Sequence, residues 1–220
     1  MNAPVTRPGL VIVVSSPSGG GKTTLCQRLL AWDTNIKYSV TCTTRAPRSG
    51  EKDGKDYFFL GKPEFERRIA AGELLEHARY NGQYYGTPRG FVEDQIVAGR
   101  DVLLAIDVQG ARQVTKLIRG GQFACPESLV TIFLVPPTIE LLEQRLRKRG
   151  QDDEPTIAKR LRLAAAEIAC WPEYDYAIVT GHINDDVAHA RAILIAEKCR
   201  TARVPKGGSP WVRRELLSSE

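Results

Sequence analysis

The chain has 220 residues, 42% of them hydrophobic and 26% charged, with a formal net charge of +5. That is the balance of a soluble globular protein with ample material for a core. No apolar run approaches the ~20 residues a bilayer span needs, which argues against a membrane partner. The short polar start, Met1 to Gly9, argues against a signal peptide.

In chain order, Leu10–Ser16 reads as a buried strand and Lys22–Trp32 as a helix with apolar positions at Leu25, Leu29 and Leu30. Short apolar strands recur at Val102–Ile106, Leu129–Val135 and Tyr176–Val179. Helical patterns lie between and after them, at Gly110–Ile118, Thr138–Lys148, Pro155–Ala169 and Val187–Cys199. The strands lack strict alternation, as expected when helices cover both faces of a parallel sheet, so the fold class is an α/β core with right-handed crossovers. Residues 38–98 break that rhythm and read as a mixed α+β insertion. It comprises a polar turn at Gly50–Asp56, the run Tyr57-Phe58-Phe59-Leu60, a short helix near Pro63–Ala71, and a hairpin of Leu74–Tyr80 and Gln83–Gly86 turning at Asn81-Gly82. A basic stretch at about 145–162 surrounds the acidic turn Asp152-Asp153-Glu154. The end carries Arg200, Arg203, Lys206, Arg213 and Arg214 with no acid over 200–214, so this segment equals the whole net charge. With its prolines and glycines, 201–220 reads as a flexible basic tail; the balanced remainder argues against a nucleic-acid-binding body. Five scattered cysteines with no C-x-x-C pair, and three histidines without ligand spacing, argue against disulfides or zinc and for a reducing compartment.

The chemistry-bearing stretch is Ser15-Ser16-Pro17-Ser18-Gly19-Gly20-Gly21-Lys22-Thr23-Thr24. Between a strand and a helix, consecutive glycines let backbone N–H groups converge on phosphate, and the helix dipole adds to the attraction. Lys22 would reach the β/γ-phosphates and Thr23 would place a hydroxyl on Mg²⁺. The strict pattern G-x-x-x-x-G-K-[ST] asks for glycine where this chain has Ser16. Asp107 ends an apolar run, so it reads either as a metal-side carboxylate or as the cap of the following helix. Asp107-Val108-Gln109-Gly110 has the D-x-x-G form of GTPases, but no N-K-x-D guanine-reading motif occurs. Arg45 and Arg48, rigidified by Pro47, are spaced to clamp one phosphate.

Five blocks resemble the guanylate kinase family in order and spacing. They are Ser18–Thr24; Thr43–Glu51; Gly54–Phe59; Gly82-Gln83-Tyr84-Tyr85-Gly86-Thr87; and Ile106–Gly110, and the resemblance covers about residues 10–198. It implies a P-loop core (1–37 and 99–200), a GMP-binding insertion (38–98) and a helical lid (about 145–162), transferring the γ-phosphoryl of ATP to GMP with Mg²⁺ in the cytoplasm. Residues Ser16, Pro17, Ser18, Gly19, Gly20, Gly21, Lys22, Thr23 and Thr24 would bind ATP, with Thr23 on the metal. Arg45, Arg48, Tyr57 and Tyr85 would hold the GMP phosphate, while Thr41, Glu76 and Thr87 would read guanine, with Gly86 and Asp107 completing that site. Arg149 and Arg160 would close on the transferring group, joining Lys22 and Arg45 as catalytic residues; Lys148, Lys159 and Arg162 read as solvated. Small-molecule substrates are the expected partners, and assembly into a homo-oligomer is compatible with the sequence. The chain departs from the family pattern at Ala105, where an acid is usual, and at Thr180–Asp186, which implies a reshaped adenine side. Two rivals to this reading are a family-like binding module without catalysis and a kinase for another small acceptor such as AMP. Intact Lys22, Thr23, Arg45 and Asp107 oppose the first, and Glu76 with Thr41 and Thr87 opposes the second.

Overall fold

The computed structural model describes residues 7–80, 82–123, 125–148 and 153–203. The chain runs β1 (Val11–Ser15), α1 (Lys22–Trp32), β2 (Ile36–Tyr38), β3 (Cys42–Thr43), β4 (Phe58–Phe59), α2 (Lys62–Ala70), β5 (Leu74–Tyr80) and β6 (Gln83–Pro88). It continues through α3 (Arg89–Val97), β7 (Asp101–Ala105), α4 (Val108–Arg119), β8 (Leu129–Val135), α5 (Ile139–Lys148), α6 (Glu154–Ile168), β9 (Tyr176–Val179) and α7 (Ile183–Lys198).

Five strands form a parallel sheet in the order β2-β7-β1-β8-β9. Its two faces divide the residues of β1 by parity. Leu10, Ile12 and Val14 pack with Leu25 and Leu29 of α1 and with Val187, Ala190 and Leu194 of α7. Val11 and Val13 pack with Val92 and Ile96 of α3 and with Ala111, Val114 and Ile118 of α4. Both faces are covered, so every position in β1 is apolar or small and the strand reads as a continuous run.

Two core elements carry little signal in the sequence. Strand β2 has three residues with a lysine in the middle, at the sheet edge. Helix α3, inside the span read as insertion, has only Val92 and Ile96 buried, one turn apart, and both pack against the core sheet. The second sheet, β4-β3-β6-β5, has its own small cluster of Cys42, Phe65 and Leu74, with the Phe65 and Tyr84 rings stacked at 5.3 Å. The expected hairpin is present: Tyr80 pairs with Gln83, and Gly82 has φ 79°, which suits glycine in a tight turn; Asn81 lies outside the described residues.

Of the segment read as a flexible tail, Thr201–Arg203 is folded. Arg203 is buried, pairs with Glu197, and donates to the carbonyls of Glu127 and Leu129. Those charge-assisted bonds hold a basic residue that composition alone assigns to solvent. The rest of that segment, 204–220, lies outside the described residues.

At the end of the sheet remote from the glycine loop, Asp101 is fully buried. It accepts from Arg7 at 2.9 Å and from the Leu10 N–H at 2.9 Å, and pairs with Lys198 at 2.9 Å. Lys198 in turn bonds Asp33, the C-cap of α1, at 2.8 Å. One carboxylate therefore ties β1, β7 and the ends of α1 and α7. Removing it takes the carboxylate from Arg7 and the acceptor from the Leu10 N–H and leaves Lys198 with Asp33 alone, so Asp101→Ala should lose about 3 kcal/mol of stability in a denaturant titration. Its turnover per folded molecule should stay close to wild type.

Candidate active site

Parallel pairing of β1 with β7, Val14 opposite Ala105, sends the glycine loop and Asp107 out of the same sheet end. Two bonds lock them together. The Ile106 carbonyl accepts from Ser15 Oγ at 2.9 Å and from Lys22 Nζ at 3.0 Å. All nine residues Ser16–Thr24 line a cleft of about 340 Å³, closed by Asp107, Arg160 and Glu167. Burial lowers the Lys22 pKa, opposed by the nearby Asp107, Glu167 and Glu76 carboxylates. Burial raises the Glu167 pKa, against Lys22 and a bond from the Ser18 N–H. Glu167, on α6, is a member of this cleft that sequence reading missed; no motif marks it.

Of the two jobs left open for Asp107, the structure shows the helix cap. Its Oδ1 accepts from the Gly110 N–H at 2.9 Å and caps α4, while the residue lines both this cleft and the next.

The second cleft, about 220 Å³, lies between the two sheets. Thr41, Tyr57, Glu76, Tyr85 and Asp107 are brought together along it; Tyr38, Ala78, Ala105 and Ile106 join them. Ala105 thus puts a methyl group on the wall at the position where the family pattern has an acid. Glu76 is buried, and its Oε1 accepts from Thr87 Oγ1 at 2.7 Å. Burial pushes its pKa up to about 7; Asp107 adds to the rise, while Thr87 and Lys22 oppose it. Gly86 contributes backbone: a Cβ there would lie 3.0 Å from the Glu76 carbonyl and from the Leu74 and Phe65 side chains.

Arg45 is held at the rim by Glu51, a residue whose role the sequence does not mark. Two 2.9 Å bonds make the pair bidentate, and the guanidinium lies 5.1 Å from the Tyr57 ring centre. Tyr57 and Tyr85 meet edge-on at 6.2 Å. Bonds to Glu51 raise the Arg45 pKa, with Tyr85 adding to it. Arg48 is exposed, and its backbone N–H donates to Glu51 at 2.7 Å.

On the other side of the glycine loop, a cleft of about 320 Å³ includes Arg145, Lys148, Thr180, Gly181 and Asp186. Lys148, read as solvated, lines this wall. Asp186 is buried and accepts from the Gly181 N–H at 2.9 Å, which fixes the departing segment. Arg147 pairs with Glu143 and Glu154, joining α5 to α6. Arg149 lies outside the described residues. Among the described residues, no group of three or more His, Cys, Asp or Glu is placed to hold a metal, and no helix is long and apolar enough to cross a membrane.

The irregular loop has a steric explanation. Gly19 and Gly21 have φ of 88° and 95°, which suit glycine, whereas Gly20 has no such torsion. A Cβ on Gly20 would lie 2.8 Å from the Ser16 Cβ and 3.0 Å from the Pro17 carbonyl, which accepts the Gly20 N–H at 2.9 Å. The Ser16 side chain and the Pro17 carbonyl together favour glycine at 20. Gly20→Ala should weaken nucleoside triphosphate binding about tenfold or more, and Ser16→Gly in the same chain should recover part of it, the Pro17 carbonyl contact remaining, measured by titration calorimetry. Strictly additive losses would show that the two positions are independent.

The guanylate kinase family model matches residues 9–197. A guanylate kinase of Desulfitobacterium hafniense is 48% identical over 197 residues, covering 90% of this chain and 94% of that protein. One from Symbiobacterium thermophilum is 49% identical over 195 residues, covering 89% of each. The crystal structure of guanylate kinase from Anaplasma phagocytophilum superposes with a TM-score of 0.74 at 38% identity, over 98% of this chain and 96% of that one. With two clefts meeting at Asp107 and a family match over nearly the whole described fold, the chain belongs to the guanylate kinase family.

Proposed function

We infer that the chain transfers the γ-phosphoryl group of ATP to GMP, giving ADP and GDP. The single observation that carries this is the buried Glu76 carboxylate in the second cleft, adjoining the phosphate loop through Asp107. Guanine presents N1–H and the exocyclic amine side by side, and one carboxylate accepts both. Adenine presents an acceptor at N1, which would face the Glu76 lone pairs and leave a buried acceptor unpaired. Thr87 fixes one carboxylate oxygen and Thr41 lies on the same wall, supporting their roles in reading the base.

The GMP phosphate would lie on Arg45, Tyr57 and Tyr85, with Arg48 reaching in from the rim. The Arg45–Glu51 pair preorients the guanidinium, so little side-chain entropy is lost on binding. Backbone N–H groups of the glycine loop and Lys22 would hold the donor phosphates, and Arg160 lies in reach of that cleft. The acceptor is already a phosphate oxygen, so positioning and charge neutralisation carry the rate. The residues present fit Mg²⁺, since that ion keeps several waters and takes one or two protein oxygens beside the substrate phosphates. Thr23 and Asp107 offer those oxygens in the loop cleft, and bound metal would neutralise charge on the transferring group. We assign the core, insertion and lid as domains, with Arg149 and Arg160 in the lid; closure over both clefts would exclude water. The five free cysteines support a cytoplasmic setting.

Purified protein with MgATP, offered GMP, AMP, UMP and CMP in turn, should release ADP rapidly only with GMP. An equal rate with AMP would overturn the assignment. Lys22→Met should abolish turnover. Acidity supplies a further test. Below pH 7 the Glu76 carboxyl is increasingly protonated and presents a donor to a donor, so KM for GMP should rise as pH falls from about 8 to 5.5. Glu76→Gln should keep only the part of that slope that comes from the substrate phosphate's own titration near pH 6. A wild-type slope identical to the variant's would remove Glu76 from guanine recognition.

A further inference from the structure

Strand β5 is the edge of the second sheet, and Glu76 and His77 lie on it. Edge strands leave backbone donors and acceptors without a neighbouring strand. At His77 a side chain from the core takes that place. Gln113 of α4 accepts from the His77 N–H through Oε1 at 3.1 Å and donates to the His77 carbonyl through Nε2 at 2.7 Å. A primary amide offers the same donor and acceptor pair as a peptide group, so Gln113 acts here as one residue of a missing strand.

The same helix meets the neighbouring residue one turn earlier. A Cβ on Gly110 would lie 2.6 Å from Glu76 Oε2 and 3.1 Å from its Cδ, so only glycine lets α4 approach the carboxylate this closely. Gly110 is in turn fixed by the Asp107 cap. A continuous set of contacts therefore runs from the end of β7 through Asp107, Gly110 and Gln113 to His77 and Glu76.

We propose that Gln113 is a positioning residue that sets base specificity by holding β5, and with it the Glu76 carboxylate, in register against α4. It never touches the substrate. Its effect rests on the reading of Glu76 as the guanine acceptor. Two acceptor oxygens must align with two donors, and a shift of a fraction of an ångström in β5 would keep one bond and lose the other. The comparison substrate is inosine monophosphate, which keeps the N1–H and lacks the exocyclic amine.

The test is steady-state kinetics on the full chain with GMP and with inosine monophosphate. Gln113→Met keeps the side-chain length and removes both hydrogen bonds. It should raise KM for GMP about tenfold, leave KM for ATP within about twofold, and reduce the GMP over inosine monophosphate preference about fivefold or more. Gln113→Asn is shorter by one methylene and unable to span both backbone groups, so it carries the same expectation should the Met variant fold poorly. Parallel loss of kcat and of affinity for both substrates, with the preference unchanged, would reduce Gln113 to a structural residue and overturn the proposal. Glu76→Gln separates the two layers. If that variant keeps the wild-type preference, the guanine reading of Glu76 fails and this proposal falls with it. If Glu76→Gln loses the preference while both Gln113 variants keep it, the clamp alone is wrong.

Discussion

Everything in this site depends on the parallel pairing of β1 with β7. Placing Val14 beside Ala105 brings two chain segments, some ninety residues apart in sequence, out of the sheet at the same edge. The Ile106 carbonyl then receives both the Ser15 hydroxyl and the Lys22 ammonium. The phosphate loop, the cap of α4 and the wall of the second cleft are consequences of that one register. A one-residue slip would invert every side chain of β1, exchanging the two faces of the core and separating Lys22 from its acceptor.

The two clefts handle charge by opposite means. Around the phosphate loop a half-buried lysine stands among Asp107, Glu167 and Glu76, so its cationic form is supported by several moderate attractions against a desolvation cost. In the second cleft the Glu76 carboxylate is buried with a hydroxyl for company, and its ionisation is displaced toward neutrality. The Arg45 guanidinium is held in a bidentate pair with Glu51 at partly solvated depth. The second cleft thus holds a group whose charge is costly to bury, the kind of group that penalises a mismatched partner most heavily.

Helix α4 links these parts. It begins at the Asp107 cap, has no side chain at Gly110 where Glu76 approaches, and reaches β5 again through Gln113. Its other side belongs to the core, through Ala111, Val114 and Ile118. Leu75 of β5 packs in that same cluster, so the second sheet is fastened to the core by apolar contact as well as by amide hydrogen bonds.

Much of this was legible in the residues because it is local. Strand, glycine loop and helix are contiguous, and their apolar spacing and phosphate chemistry are visible without any partner. The five motif blocks likewise identify the family and contain most of the phosphate loop, together with Tyr57, Tyr85 and Asp107 of the second cleft. What remained hidden depends on which residues meet in space. Helix α3 has apolar residues at Phe91, Val92, Ile96 and Val97, and only packing on the core sheet decides that Val92 and Ile96 are the buried pair; β2 is too short to carry a pattern. Arg203 reads as part of a basic tail until Glu197 and two carbonyls surround it. Ser16 is an irregularity on its own and a constraint on Gly20 once their Cβ positions are placed 2.8 Å apart. The sequence by itself determined the chemistry available, a glycine-rich phosphate loop and the motif blocks of a family. The tertiary structure decided how that chemistry is aimed, because steric exclusion and hydrogen bonding across ninety residues are properties of positions in space that no local pattern encodes.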